Sequence, residues 1–106
     1  MRLFDFLTSS DINQGVIQCQ NTPGAVLVDV RERDEYAAGH IPGSKNVPLS
    51  ALSAIVGVCP DQDAPLFVYC LSGARSRRAT AQLESMGYTQ VTNLGGVNRY
   101  RGELER

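Results

Sequence analysis

The 106-residue sequence predicts an α/β fold in which a parallel sheet is covered on both faces by helices. Three observations carry this. Apolar, β-prone runs occur at AVLVDV (25–30), LFVY (66–69) and QVTNL (90–94), segments with helical spacing separate them, and Gly, Pro and Asn/Asp clusters mark each change. Strands that alternate with helices pair in parallel, and ligands then gather beyond the carboxyl ends of the strands. Cys70 follows LFVY directly and stands at such an end.

Taken in order, Ser9, Ser10 and Asp11 offer capping side chains to a helix reaching about Gln20. Ile12, Val16 and Cys19 form its apolar stripe and Gly15 weakens it. NTPG then turns the chain into AVLVDV, apolar enough for a strand buried on both faces. Arg33 to Ala38 is expected to form a short helix that Gly39 stops in the left-handed C-cap position. HIPGSKNVPL, with two prolines, reads as an extended surface crossing. Ser50 is expected to cap a helix carrying Leu52, Ile55 and Val56. After CPDQDAP, LFVY is the second strand and delivers Cys70. Ala79, Leu83 and Met86 mark a helix over 75–86 closed by Gly87, QVTNL is the third strand, and a last helical segment starts near Val97.

Bulk properties narrow the function. A chain of this length forms one domain with a core large enough to stand without staples. Ten Lys plus Arg against eleven Asp plus Glu leave a net charge of −1, so nothing advertises nucleic acid or an anionic membrane. No run approaches a membrane span, and MRLFDFLTSSD puts an acidic residue where a signal peptide needs an apolar core, which predicts a cytoplasmic protein. Three cysteines and a single histidine fit neither a disulfide framework nor a zinc site, so free thiols, no metal and no organic cofactor are expected.

The stretch VYCLSGARSRRAT (68–80) concentrates the chemistry: strand, thiol, tight loop, helix start. In that arrangement backbone N–H groups converge and the helix dipole adds partial positive charge, a cradle for an anion. Its centre is the Cys70 sulfur, so Cys70 is expected to be a low-pKa nucleophile. Leu71, Ser72, Gly73, Ala74, Arg75 and Ser76 are expected to form the substrate-binding cradle. Cys19 and Cys59 lack such a loop and read as small buried hydrophobes.

CLSGARS resembles the active-site loop of the rhodanese family of sulfurtransferases. LVDVRERDEYAAGHIPGSKNVPL is similar to the family segment running from an Asp-Val-Arg strand end through Gly-His-Ile-Pro-Gly, and GYTQVTNLGGV to its last strand and Gly-Gly turn. Together these span roughly residues 25–97. The resemblance implies a single rhodanese-like domain over 1–106 with a twisted, mainly parallel five-stranded sheet and helices on both faces. It implies that Cys70 takes sulfur from an anionic donor such as thiosulfate, holds it as a persulfide and passes it to cyanide or a thiol. A thioredoxin-like or sulfur-relay protein is the alternative acceptor. Related phosphatase and arsenate reductase domains place five residues between Cys and Arg, whereas this chain has four, which favours sulfur transfer; a non-catalytic binding module is the remaining alternative. The family often carries a Trp after the paired glycines, and Tyr100 is expected to fill that place here.

Around the loop, His40 reads as a structural residue bonding to backbone, and Asp29, Arg31 and Glu35 as loop fasteners. Arg75 has two readings of equal weight, gripping an anionic donor or pairing with a carboxylate such as Glu35. Arg77 and Arg78 read either as a solvated face or as a steering patch for anionic donors.

Overall fold

The computed structural model describes residues 11–106. The expected caps Ser9 and Ser10, and the segment that argued against a signal peptide, lie outside these residues save for Asp11. Helix α1 spans Ile12–Gln20, and Asp11 Oδ1 accepts a 2.9 Å bond from the Asn13 N–H at its start. Strand β1 (Val26–Asp29) is followed by α2 (Arg33–Ala38), the two-residue strand β2 (Lys45–Asn46), a 3₁₀ segment (Leu49–Ala54) and α3 (Ile55–Val58). Strand β3 (Leu66–Cys70), helix α4 (Ala74–Ser85), strand β4 (Val91–Gly96) and a 3₁₀ turn at Val97–Arg99 complete it.

The strands lie in the order β2-β1-β3-β4, all parallel. Alternation along β1 and β3 divides the core: Val28, Leu66, Val68 and Cys70 face Leu52, Ile55, Ala79 and Leu83, while Leu27, Phe67 and Tyr69 face Ile12, Val16 and Leu94. Helices therefore cover both faces, as expected of a parallel sheet.

Four strands form among the described residues, not five. Along GHIPG the backbone reaches only an isolated antiparallel bridge, with His40 and Glu105 exchanging two 2.8 Å bonds. Pro42 has no N–H with which to extend a ladder there. Other expectations also shift. Ser50 does not cap a helix; its hydroxyl donates to Glu32 Oε2 at 3.1 Å, the segment starts as 3₁₀, and Val56 is exposed although Leu52 and Ile55 are buried. Gly39 stops α2 at φ 156°, ψ 129°, outside the left-handed helical region. The final helix shrinks to one 3₁₀ turn because the polar tail after it buries nothing, while Tyr100 packs partly against the Leu27–Phe67 side of the core. No helix among the described residues is long and apolar enough to cross a membrane.

One irregularity positions the site. The register of β3 with β4 slips between Val68 and Tyr69, so Val68 faces Asn93 while Tyr69 faces Gly95. Gly95 adopts φ 92° and its N–H bonds the Asn93 side chain at 3.0 Å. Such a bulge needs a residue free of Cβ strain. Its consequence is that Gly96, not a side-chain-bearing residue, lies beside Cys70.

Candidate active site

Strand β3 ends at Cys70, and Leu71–Ser72–Gly73 turn the chain into α4. Gly73 holds φ 110°, which a side chain would strain, and its N–H points at Cys70 Sγ from 3.0 Å. Ser76 N–H, the third amide of the helix, donates to the same sulfur at 3.3 Å. The sulfur thus does for α4 what a capping oxygen does elsewhere, accepting an amide that no helical carbonyl can take.

Ser76, wholly buried, has Oγ 3.5 Å from Sγ and 3.1 Å from the Gly73 carbonyl. With the thiol protonated, S–H donates to Oγ; with the thiolate, the hydroxyl turns to donate to sulfur. Burial is the largest single influence on Cys70 and pushes its pKa up. The Ser76 hydroxyl and the Ser76, Gly73 and Ser72 amides together outweigh it, leaving the thiol below the ordinary cysteine value. The other cysteines lack those donors: burial pushes Cys19 up to about 11 and raises Cys59 as well. All three are free.

The bonds to Sγ come from Gly73 and Ser76, with Ser72 adding to thiolate stability. Leu71, Ser72 and Ala74 are solvent-exposed, and Leu71 presents 45% of its surface. Arg75 turns away from the sulfur: Nη1 and Nη2 bond Glu35 Oε1 and Oε2 at 2.7 and 2.9 Å, and Glu35 Oε1 also accepts the Glu32 N–H at 2.9 Å. One carboxylate ties the start of α2 to that of α4. Arg75 holds the Glu35 carboxyl at a pKa of about 2, far below its usual range.

The remaining polar residues form a brace under the strand ends. Arg31 pairs with buried Asp29 at 2.7 Å and donates to the Gly39 carbonyl at 2.7 Å. Tyr69 OH accepts the Ile41 N–H at 3.0 Å. His40 stacks on Tyr36 with ring centroids 3.7 Å apart and places Nδ1 2.8 Å from the Tyr36 carbonyl. Its partners lie in 36–40 and at Glu105, none of them in the 70–76 loop.

Beside the loop is a cavity of about 280 Å³, lined by Ser72, Gly73, Arg77, Asn93, Gly95 and Arg99 among others. Arg77 was legible in the sequence and is brought here, whereas Arg78 does not line it. Asn93 and Arg99 escape sequence reading because they come from β4 and the turn after it; the Gly-Gly pair just before Arg99 was the available signal.

Residues 13–103 match the family model of the Rhodanese-like domain. The chain belongs to the rhodanese-like domain family. Among its curated relatives, the Bacillus subtilis protein YqhL is 34% identical over 105 residues, covering 98% of this chain and 78% of YqhL. The thiosulfate sulfurtransferase GlpE of Pseudomonas fluorescens is 39% identical over 79 residues, covering 74% of this chain and 72% of GlpE. A solved Escherichia coli structure described as a rhodanese with anions superposes with a TM-score of 0.72 at 32% identity, covering 77% of this chain and 98% of that one. In this rhodanese-like chain, Gly73 and Ser76 of the loop converge on the Cys70 sulfur, and Arg75 bonds Glu35 instead.

Proposed function

We propose that this protein transfers sulfane sulfur from a small anionic donor such as thiosulfate to cyanide or a thiol, with Cys70 as nucleophile and carrier. The observation that carries the reading is the convergence of Gly73 N–H, Ser76 N–H and Ser76 Oγ on the sulfur itself, at 3.0, 3.3 and 3.5 Å. A loop contracted around one sulfur atom suits an anion centred on sulfur. A phosphatase needs those amides spread around phosphoryl oxygens, with an arginine free to share them. Here Arg75 is committed to Glu35.

In the first half-reaction the Cys70 thiolate attacks the outer sulfur of the donor. The S–S bond to the sulfonate breaks, sulfite leaves with the electron pair, and Cys70 becomes a persulfide. In the second, the acceptor attacks the outer sulfur and Cys70 departs as thiolate, stabilised by the same donors. No oxidant, metal or organic cofactor enters this balance. A thioredoxin-like or sulfur-relay protein is the second class of acceptor in this reading.

Thiocyanate formation from thiosulfate and cyanide tests the reading. Wild type is expected to turn over with ping-pong kinetics and Cys70→Ser to be inactive. Cys70-dependent hydrolysis of an aryl phosphate without thiocyanate formation would replace it with the phosphatase reading.

A further inference from the structure

Asn93 stands within β4, where a strand ordinarily takes a β-branched or aromatic residue. What it brings is an oxygen two residues ahead of the bulge: Oδ1 accepts the Gly95 N–H at 3.0 Å and holds that residue at its φ of 92°. Gly95 in turn backs both residues that donate to the sulfur. Its carbonyl lies 3.4 Å from Ser76 Oγ, and its Cα is the nearest atom that a Cβ on Gly73 would meet, at 3.5 Å. Gly73 and Ser76 supply the amide bonds to Sγ at 3.0 and 3.3 Å, and Ser76 the hydroxyl at 3.5 Å. One side-chain oxygen outside the loop thus supports every printed contact to the nucleophile.

We propose that Asn93 is a positioning residue for Cys70, acting through Gly95 on the Ser76 hydroxyl and the Gly73 amide. Without the side-chain oxygen, the Gly95 N–H loses its partner and the bulge loosens, so both donors meet Sγ less squarely. The Ser76 hydroxyl has one proton to place, on the Gly73 carbonyl, the Gly95 carbonyl or the sulfur, and it goes to sulfur when Sγ is charged. The thiolate is therefore the state that loosening costs most. Asn93 is uncharged, so replacing it leaves the Arg75–Glu35 pair, and Arg77 and Arg99 beside the loop, as they are; a changed pH profile then reports geometry. The consequence for catalysis rests on the sulfur-transfer reading and differs between the half-reactions. A less stabilised thiolate forms less readily but attacks at least as well once formed, because nucleophilicity rises with thiol pKa, whereas it leaves a persulfide more slowly at every pH.

Asn93→Ala, Asn93→Ser and Thr92→Ala are compared with wild type by iodoacetamide alkylation of Cys70 against pH, with urea denaturation confirming the fold. Serine keeps an oxygen able to take the Gly95 N–H, and Thr92 is exposed at the neighbouring position of the strand. Asn93→Ala is expected to alkylate about fivefold more slowly at neutral pH and to match wild type once the thiol is fully ionised. Asn93→Ser should recover most of that loss, and Thr92→Ala should follow wild type. In thiocyanate formation by Asn93→Ala, kcat/KM for thiosulfate should recover as pH rises, while kcat/KM for cyanide stays about fivefold below wild type throughout. A folded Asn93→Ala with a wild-type alkylation profile, equal losses in the alanine and serine variants, or an equal loss in Thr92→Ala would each overturn the positioning role. Hydrogen exchange at the Gly95 amide needs no variant: protection is expected in wild type, and exchange at the rate of a free peptide would overturn the role as well. The alkylation result stands apart from the function, because a displaced profile in a protein that forms no thiocyanate would refute sulfur transfer and leave Asn93 in its place.

Discussion

Gly96→Ala tests whether the cradle is held by the packing of β4 against the loop. The backbone at Gly96 is ordinary extended chain at φ −113°, ψ 136°, so alanine meets no torsional objection. The obstacle is contact: a Cβ there would fall 2.7 Å from Ser72 Cα and 2.6 Å from Asn98 Oδ1, and against the Leu71 carbonyl. Against Ser72 this is about 0.7 Å short of ordinary van der Waals contact; the Asn98 side chain can rotate away, but Ser72 Cα and the Leu71 carbonyl are backbone and cannot. Overpacking of this kind costs about 1–3 kcal/mol of stability. The more specific effect is on sulfur. Displacing Ser72 by that distance carries off the neighbouring Gly73 amide, whose bond to Sγ is 3.0 Å. A lost hydrogen bond to a charged group is worth about 1.5–3 kcal/mol, so the Cys70 pKa rises. The rate of alkylation by iodoacetamide against pH reads this directly, with urea denaturation run alongside. The expected result is a folded protein whose alkylation profile moves to higher pH and whose sulfur transfer at neutral pH drops about tenfold or more. A folded variant with a wild-type profile would refute the claim that β4 sets the cradle.

Ser76→Ala removes the hydroxyl and keeps the amide, and should raise the Cys70 pKa, read as a shift of the same alkylation profile to higher pH. Gly73→Ala forces a side chain to φ 110°, although a Cβ there would meet only Gly95 Cα at 3.5 Å; a loss of about 1–2 kcal/mol in urea denaturation is expected from the backbone alone. Glu35→Gln breaks the pair with Arg75, whose side chains are 29% and 33% exposed, so solvent screening limits the loss to about 1 kcal/mol. Glu35 has its pKa depressed from 4.5 to about 2 on folding, so its contribution is present above pH 4.5 and lost as pH falls toward 2. The stability difference between wild type and Glu35→Gln, measured by denaturation at successive pH values, should close over that window.

Much of this fold is local information. The short apolar runs AVLVDV and LFVY, bounded by turn residues, read as buried strands, and the helical spacing after Cys70 marks α4, so the sheet's centre and the thiol's place at a strand's carboxyl end follow from the sequence. What stayed hidden depends on residues far apart in the chain. Arg75 had two equal readings because its partner lies 40 residues upstream, and only the packing of α2 beside α4 decides for Glu35. The cavity draws Arg77 from one element and Asn93 and Arg99 from others, and no spacing rule joins them. Strand β2 is two residues long, too short for any periodicity, and the slip that brings Gly96 to Cys70 is written only as a glycine pair. The fifth strand is implied by resemblance alone, with no run of residues assigned to it, and four strands form among the described residues.

The most direct test of the account is the mass of the intact protein after treatment with thiosulfate without reductant, on wild type and Cys70→Ser in parallel. The account predicts a gain of one sulfur atom in wild type alone, reversed by cyanide with release of thiocyanate. An unchanged wild-type mass under turnover conditions, or the same gain in Cys70→Ser, would contradict it.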